Sequence, residues 1–229
     1  MSQLATEVVG TCPASLAAAI RREVWTGGSW EDTAHRVAAA LRRRLPGPDL
    51  LTPEQLSGDP AGYQAHLVHA EEDGSFSVVV MVWRPGQATP IHDHLTWCVT
   101  AVLQGAEYEE IFALRGGRLE VVARNQNQAG SVSGFAPPGD IHQVRNSGAG
   151  IAVSMHVYGT DITRVGSSVR RVDPGLARIA APTRGAPAGT AVPSLRLAYR
   201  ACALHAWRSP LSIVHCIVLM SQRYIANDR

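Results

Sequence analysis

At 229 residues the chain can bury one substantial core, and 45% hydrophobic against 17% charged residues is ordinary for a globular protein, not a fibre or a disordered chain. A net charge of +2, spread over scattered arginines, gives no basic block for nucleic acid or an anionic membrane, which leaves small-molecule chemistry as the expectation. The four cysteines, Cys12, Cys98, Cys202 and Cys216, show no Cys-x-x-Cys spacing; no signal-peptide pattern is read, and the longest apolar run, 211–220, is about half the roughly 20 residues of a membrane span, so a cytoplasmic protein is expected.

Residues 14–25 are rich in Ala and Leu with Leu16, Ile20 and Val24 four apart, which predicts a short amphipathic helix ended by Gly27 and Gly28. Ser29 is placed to cap a second helix, with Asp32 as the capping acid and Ala34, Val37, Ala38, Leu41 and Leu45 as its apolar stripe; Pro46-Gly47-Pro48 stops it. Arg42, Arg43 and Arg44 then read as cations favoured near the negative end of that helix. After a helical turn at 53–56 the pattern changes to strands at 64–70, 76–83, 97–103, 107–114, 119–123, 131–136 and 151–158, separated by Gly- and Pro-containing turns. Short strands at this spacing behind two helices predict a mainly β molecule, a sandwich or jelly-roll barrel with a helical cover. The organisation expected is a helical cover at 1–60, a barrel at 61–172 and, at 173–229, a Pro-, Gly- and Ala-rich linker with a tail of no clean period.

Within Gly86 to Gly105, His92 and His94 are two apart in a segment of strand-like composition, so both imidazoles take one face and Asp93 the other. A third histidine, His142, follows Pro138-Gly139, and three neutral imidazoles converging inside a β fold are most simply explained by a divalent metal. His35, His66, His69, His205 and His215 have no such pattern and read as structural. In residues 152–158 the alternation puts Ser154, His156 and Tyr158 on one face and Val153, Met155 and Val157 on the other, so the polar face either relays hydrogen bonds or meets solvent.

The first histidine segment runs Gly86, five residues, His92-Asp93-His94, three residues, Cys98, six residues, Gly105; the second runs Gly134, Pro138-Gly139, two residues, His142, three residues, Asn146. These spacings resemble the two signature motifs of the cupin superfamily, a double-stranded β-helix barrel that holds a metal inside. Cys98 stands where the usual cupin has a ligating glutamate. Three imidazoles without that carboxylate leave the metal its full charge and open positions. Zinc there would favour hydrolytic chemistry, and iron(II) would favour oxygen activation with a thiolate replacing the missing charge.

The histidine pair, the Leu103-Gln104-Gly105 turn, His142 and the Ser154/His156/Tyr158 series together resemble the cysteine dioxygenase family of thiol dioxygenases, over roughly residues 16–171. The resemblance implies iron(II) held by His92, His94 and His142, with a small thiol and dioxygen as substrates and a sulfinic acid as product. It implies that Tyr158, oriented by His156 and Ser154, donates a hydrogen bond in the site. It also implies a possible Cys98–Tyr158 thioether, with an inert buried cysteine as the alternative. The arginine that cysteine-specific members carry two residues after an early tyrosine is missing, since Tyr63 is followed by Gln64 and Ala65. Relatives acting on 3-mercaptopropionate use an arginine beyond the tyrosine strand, which points first to Arg164, then to Arg170 or Arg171, for a substrate carboxylate; L-cysteine or a 3-mercaptopropionate-like thiol is the expected substrate. A zinc or manganese cupin acting as isomerase or hydrolase, and a metal-binding cupin without turnover, are the alternatives.

Overall fold

In the computed structural model the described residues are 12–173, and all of them fall in one compact unit. The expected linker and tail beyond Asp173, with Cys202, His205, Cys216 and His215, lie outside the described residues. The first helix, α1 (Ala14–Trp25), and the second, α2 (Trp30–Arg43), occupy the spans the periodicity predicts. Ser29 caps α2 by accepting the Asp32 backbone N–H at 3.1 Å and donating its hydroxyl to the Asp32 carboxylate at 2.7 Å. Leu16, Ala17 and Ile20 of α1 and Ala34, Val37, Ala38 and Leu41 of α2 are buried, the i, i+3, i+4 faces of two amphipathic helices. The helical turn expected at 53–56 is present, with the Leu56 N–H on the Thr52 carbonyl oxygen at 3.0 Å and a 3₁₀ turn at Gln55–Ser57; a further 3₁₀ turn forms at Pro48–Leu50.

Ten strands follow among the described residues: β1 (Gln64–Ala70), β2 (Ser77–Trp83), β3 (Ile91–His94), β4 (Cys98–Gln104), β5 (Ala106–Arg115), β6 (Arg118–Gln128), β7 (Val132–Phe135), β8 (His142–Asn146), β9 (Ala152–Tyr158) and, after the short helix α3 (Ile162–Val165), β10 (Val169–Asp173). They build two five-stranded sheets, ordered β1-β2-β9-β4-β7 and β10-β3-β8-β5-β6, with antiparallel pairing throughout. From β2 onward the chain passes repeatedly between the sheets, which is the jelly-roll path of the double-stranded β-helix. The fold is therefore the mainly β cupin barrel with N-terminal helices that the motifs implied.

The histidine segment expected to be strand-like forms β3, Ile91-His92-Asp93-His94, buried at every position. Two strands lay outside the expected ones: β8, His-Gln-Val-Arg-Asn, whose buried positions His142, Val144 and Asn146 carry a single apolar residue, and β10, paired along β3. Strand β6 also runs five residues past its expected end, carrying Asn125 and Asn127 opposite Glu109 and Glu107 of β5.

Strands β2 and β9 are buried on both faces. Outward, Val78, Val80, Val82, Val99, Val153, Met155 and Val157 pack with Leu16, Ile20, Val37 and Leu41 beneath the helices. Inward, Val79, Met81, Trp83, Cys98 and Tyr158 form a second cluster with Ala65, Leu67 and Ile162. Two motif glycines are explained by close approach. A Cβ on Gly134 would lie 2.7 Å from the Ala34 carbonyl oxygen of α2, and one on Gly105, at φ +76°, would lie 2.9 Å from the Ile151 carbonyl oxygen.

Candidate metal centre

Strand β3 lies between β8 and β10, and the pair that joins it to β8 is His92 opposite His142. The period of two then brings His94 to the same interior face. One ring nitrogen from each of His92, His94 and His142 lies within 4.8 Å of those of the other two, and all three residues are buried. His92 Nε2 and His142 Nε2 are 3.2 Å apart. Among the described residues this is the group of His, Cys, Asp and Glu side chains placed to share a metal ion.

Each ring is oriented by an oxygen acceptor on its far nitrogen. His92 Nδ1 faces the Pro90 carbonyl oxygen at 3.0 Å, His94 Nδ1 faces Asp140 Oδ2 at 3.1 Å, and His142 Nδ1 faces Glu109 Oε1 at 2.7 Å. A carbonyl or carboxylate oxygen accepts only, so the proton of each neutral ring sits on Nδ1 and the Nε2 lone pair faces the centre. Burial pushes the pKa of His92 well below the ordinary histidine value, and the neighbouring His142 and His94 add to this. His94 is also lowered, chiefly by burial, against the opposing pull of Asp140. Burial pushes Glu109 and Asp140 upward, but hydrogen bonds from His142 and His94 respectively outweigh it, and both stay below the usual carboxylate range. Neutral imidazoles held by ionised carboxylates suit a divalent cation, so the donor set fits a metal.

Glu109, Asp140 and the Pro90 carbonyl were not read from the sequence. The signal was present for two of them: Glu107 and Glu109 share one face of a strand, and Asp140 stands two residues before His142 on the turn that delivers it.

The polar face of β9 points into the same interior. His156 Nε2 is 3.0 Å from Ser154 Oγ, and His156 Nδ1 is 3.3 Å from the Tyr158 hydroxyl. Trp83, a further residue missed in the sequence, donates its indole N–H to Ser154 Oγ at 3.0 Å and stacks on Tyr63 at 4.5 Å between ring centroids. The Tyr158 ring lies 6.1 Å from that of His94, and Phe135 packs against His94 and His142. Burial lowers the His156 pKa to about 3 and raises that of Tyr158 well above the ordinary phenol value, so the imidazole and the phenol are both neutral.

Cys98 is fully buried and sits directly opposite Tyr158 in the β4–β9 register. Burial raises its pKa far above the ordinary thiol value, so it adds no charge where cupins place a carboxylate. Arg164 is turned outward instead: its side chain is 67% exposed and its Nε pairs with Asp161 at 3.0 Å. The fold does not bring it to the histidine cluster. Arg170 Nη2 bonds Asp93 Oδ2 at 2.6 Å, on the side of β3 away from His92 and His94, and Arg171 lies opposite Asp93 in the β10–β3 register.

The family model described as cysteine dioxygenase type I matches residues 56–167, the segment that carries all three histidines and Ser154, His156 and Tyr158. Over these residues the barrel is similar to the cysteine dioxygenase family. Solved structures similar to this barrel include proteins titled as cupin or double-stranded β-helix domains. One from Salinispora arenicola, titled a Cupin 2 conserved barrel domain protein, is 21% identical, with 44% of this chain and 78% of that one covered at a TM-score of 0.35. A double-stranded β-helix domain protein from Klebsiella pneumoniae is 21% identical, with 47% and 85% covered and a TM-score of 0.37. The TT1209 protein of Thermus thermophilus is 22% identical, with 48% and 94% covered and a TM-score of 0.38.

Proposed function

We propose that this chain is an iron(II)-dependent thiol dioxygenase that adds both atoms of dioxygen to the sulfur of a small thiol, giving a sulfinic acid. The observation that carries the reading is the pairing of a three-histidine site lacking a protein carboxylate with a buried Tyr158 hydroxyl beside it. His92, His94 and His142 hold the ion, and Pro90, Asp140 and Glu109 fix their tautomers. When bound, iron(II) supplies open positions for a soft anionic thiolate and for dioxygen. Cys98 stays uncharged and leaves the thiolate without an anionic competitor. Phe135, Trp83, Met81 and Ile162 keep the interior apolar around the reacting sulfur, which strengthens each polar contact made there. Tyr158 hydrogen-bonds the substrate or the oxygen being transferred.

Oxygen uptake by iron-loaded protein with cysteine, 3-mercaptopropionate, cysteamine and mercaptosuccinate tests the reading. Uptake with one of these and a sulfinate product are expected; no uptake with any of them sinks it. Stoichiometric zinc after purification, with no uptake on iron loading, would favour the hydrolase or isomerase class. For Arg164 to take a substrate carboxylate it must leave Asp161, and the role predicts that Arg164→Ala raises KM for 3-mercaptopropionate but not for cysteamine. Equal KM values would remove Arg164 from the site. The Cys98–Tyr158 register supports a thioether formed at the expense of dioxygen: two hydrogen atoms leave as the carbon–sulfur bond forms. An intact mass lower by those two hydrogens and unchanged by reduction is expected, and an unmodified mass would leave Cys98 an inert thiol.

A further inference from the structure

We infer that Arg170 is a positioning residue for the metal centre: by neutralising the buried Asp93 carboxylate, it holds the β3 backbone where His92 and His94 both reach the ion. This role depends on the three-histidine site and not on the reaction performed there.

Asp93 stands between the two ligands in sequence, so alternation turns its carboxylate to the opposite face of β3. That face does not leave it in water: Asp93 is 2% exposed. A carboxylate withdrawn from solvent to that degree is tolerated only beside a cation or several donors. Arg170 supplies the cation, its Nη2 lying 2.6 Å from Asp93 Oδ2, while 46% of its own side chain stays exposed. The pair therefore has one member sealed in the sheet and one at the surface.

The pairing of β3 puts this contact where it matters. β8 meets β3 at one pair, His92 opposite His142. β10 runs along it instead: Val169 pairs with His94, Arg171 with Asp93, Val172 with His92 and Asp173 with Ile91. The Leu95 N–H extends that ladder past His94 by reaching the Ser168 carbonyl oxygen at 2.8 Å. The register slips between Val169 and Arg171, which makes Arg170 the extra residue of a bulge. A bulge re-aims the side chain it carries. Here the re-aimed guanidinium meets Asp93, so the charge pair and the strand pairing are fastened at the same place.

The coupling to the ligands follows from the short lever. His92 and His94 are the chain neighbours of Asp93, and both rings are displaced if the backbone between them shifts or twists to bring the carboxylate to water. Pro90 and Asp140 orient the two rings from the interior face. Arg170 acts on the same strand from the other face, without touching the ion or the substrate.

The test is the zinc dissociation constant of the full chain, measured by competition with a chromogenic chelator, with circular dichroism showing that each variant is folded at the assay temperature. Among folded proteins a loss of global stability does not move that constant, whereas a misplaced ligand strand does. Arg170→Gln, which takes away the cation beside Asp93, should bind zinc about tenfold more weakly, as when groups behind metal ligands are removed. Arg170→Lys keeps the charge and should recover most of the affinity. Asp93→Asn removes the buried charge and leaves Arg170 a solvated cation, so it should weaken binding less than Arg170→Gln does. The Arg170→Gln/Asp93→Asn double variant should then bind more tightly than Arg170→Gln alone. Arg115→Gln, which loses the same charge from the exposed Arg115–Glu120 pair, should bind like the parent. Parent-like affinity in Arg170→Gln overturns the inference, and so does a double variant no better than Arg170→Gln. If Arg170→Gln does not fold, the double variant decides: folded and binding zinc it supports the inference, unfolded it overturns it. A parent that binds no zinc would defeat the three-histidine site and this role together. Oxygen uptake enters none of these measurements, so a failure of the dioxygenase reading stays distinguishable from a failure of this one.

Discussion

His142 and Tyr158 do different work on two sides of one cavity, and substitution separates them. His142→Ala removes a donor from a three-nitrogen set and strands the Glu109 carboxylate, so metal analysis should find the iron lost. Tyr158→Phe leaves His92, His94 and His142 untouched and should retain iron while lowering kcat about 10- to 100-fold, the worth of one hydrogen bond to a charged group. Iron retained in the first variant would mean that the wrong third ligand has been assigned. Glu107 gives a pH effect of unusual sign. Its folded pKa lies above its unfolded one, so the folded state binds the extra proton and stability falls as pH rises from about 4.5 to about 7. Glu107→Gln should therefore melt higher than the parent at pH 8 and not at pH 4, by on the order of 3 kcal/mol at most. A constant difference in melting temperature across that range would contradict the raised pKa. The histidines and the tyrosine were legible because motif spacing and strand alternation act on neighbours in sequence. Asp140, Glu109 and Trp83 were not, because each is defined by a partner at least 33 residues away.

The same division holds for the elements. Helix α2 was readable from its cap through its stripe, which are local, although it ends at Arg43 and leaves Leu45 of the expected stripe beyond it. Strand β3 was legible only through the spacing of its two histidines, and β8 was not, because its buried positions carry one apolar residue, Val144, between His142 and Asn146. The contact between α2 and β7 depends on Gly134, where a side chain would meet the helix backbone. Gly134→Ala should cost about 1–3 kcal/mol through this overpacking, seen as a lower denaturant midpoint with an unchanged slope. Leu41→Ala, fully buried on the same face of that helix, should cost about 2–5 kcal/mol by leaving a cavity. Neither residue touches the histidines, so both variants should bind iron with the parent stoichiometry. Loss of iron in either would show that the helical cover helps to shape the site.

For the molecule as a whole, the two sheets have separate tasks. One is covered by the helices and carries Ser154, His156 and Tyr158 on β9; the other supplies all three histidines. No helix among the described residues is long and apolar enough to cross a membrane. The jelly-roll class was legible from strand spacing and motif glycines, whereas the pairing order was not, since it is fixed by contacts between strands distant in the chain. Metal that binds the folded barrel alone should stabilise it in proportion to the logarithm of its free concentration, so a chelator should lower the melting temperature and added iron restore it. A melting temperature indifferent to both would argue against a preformed site.

The His92–His142 pair spans 50 residues of chain. Its two halves meet only after a long loop has closed, so little of the ion's binding energy is available while the chain searches for its fold. Iron should consequently act as a latch: added metal should slow the unfolding rate, leave the refolding rate nearly unchanged, and prolong the life of a barrel already assembled.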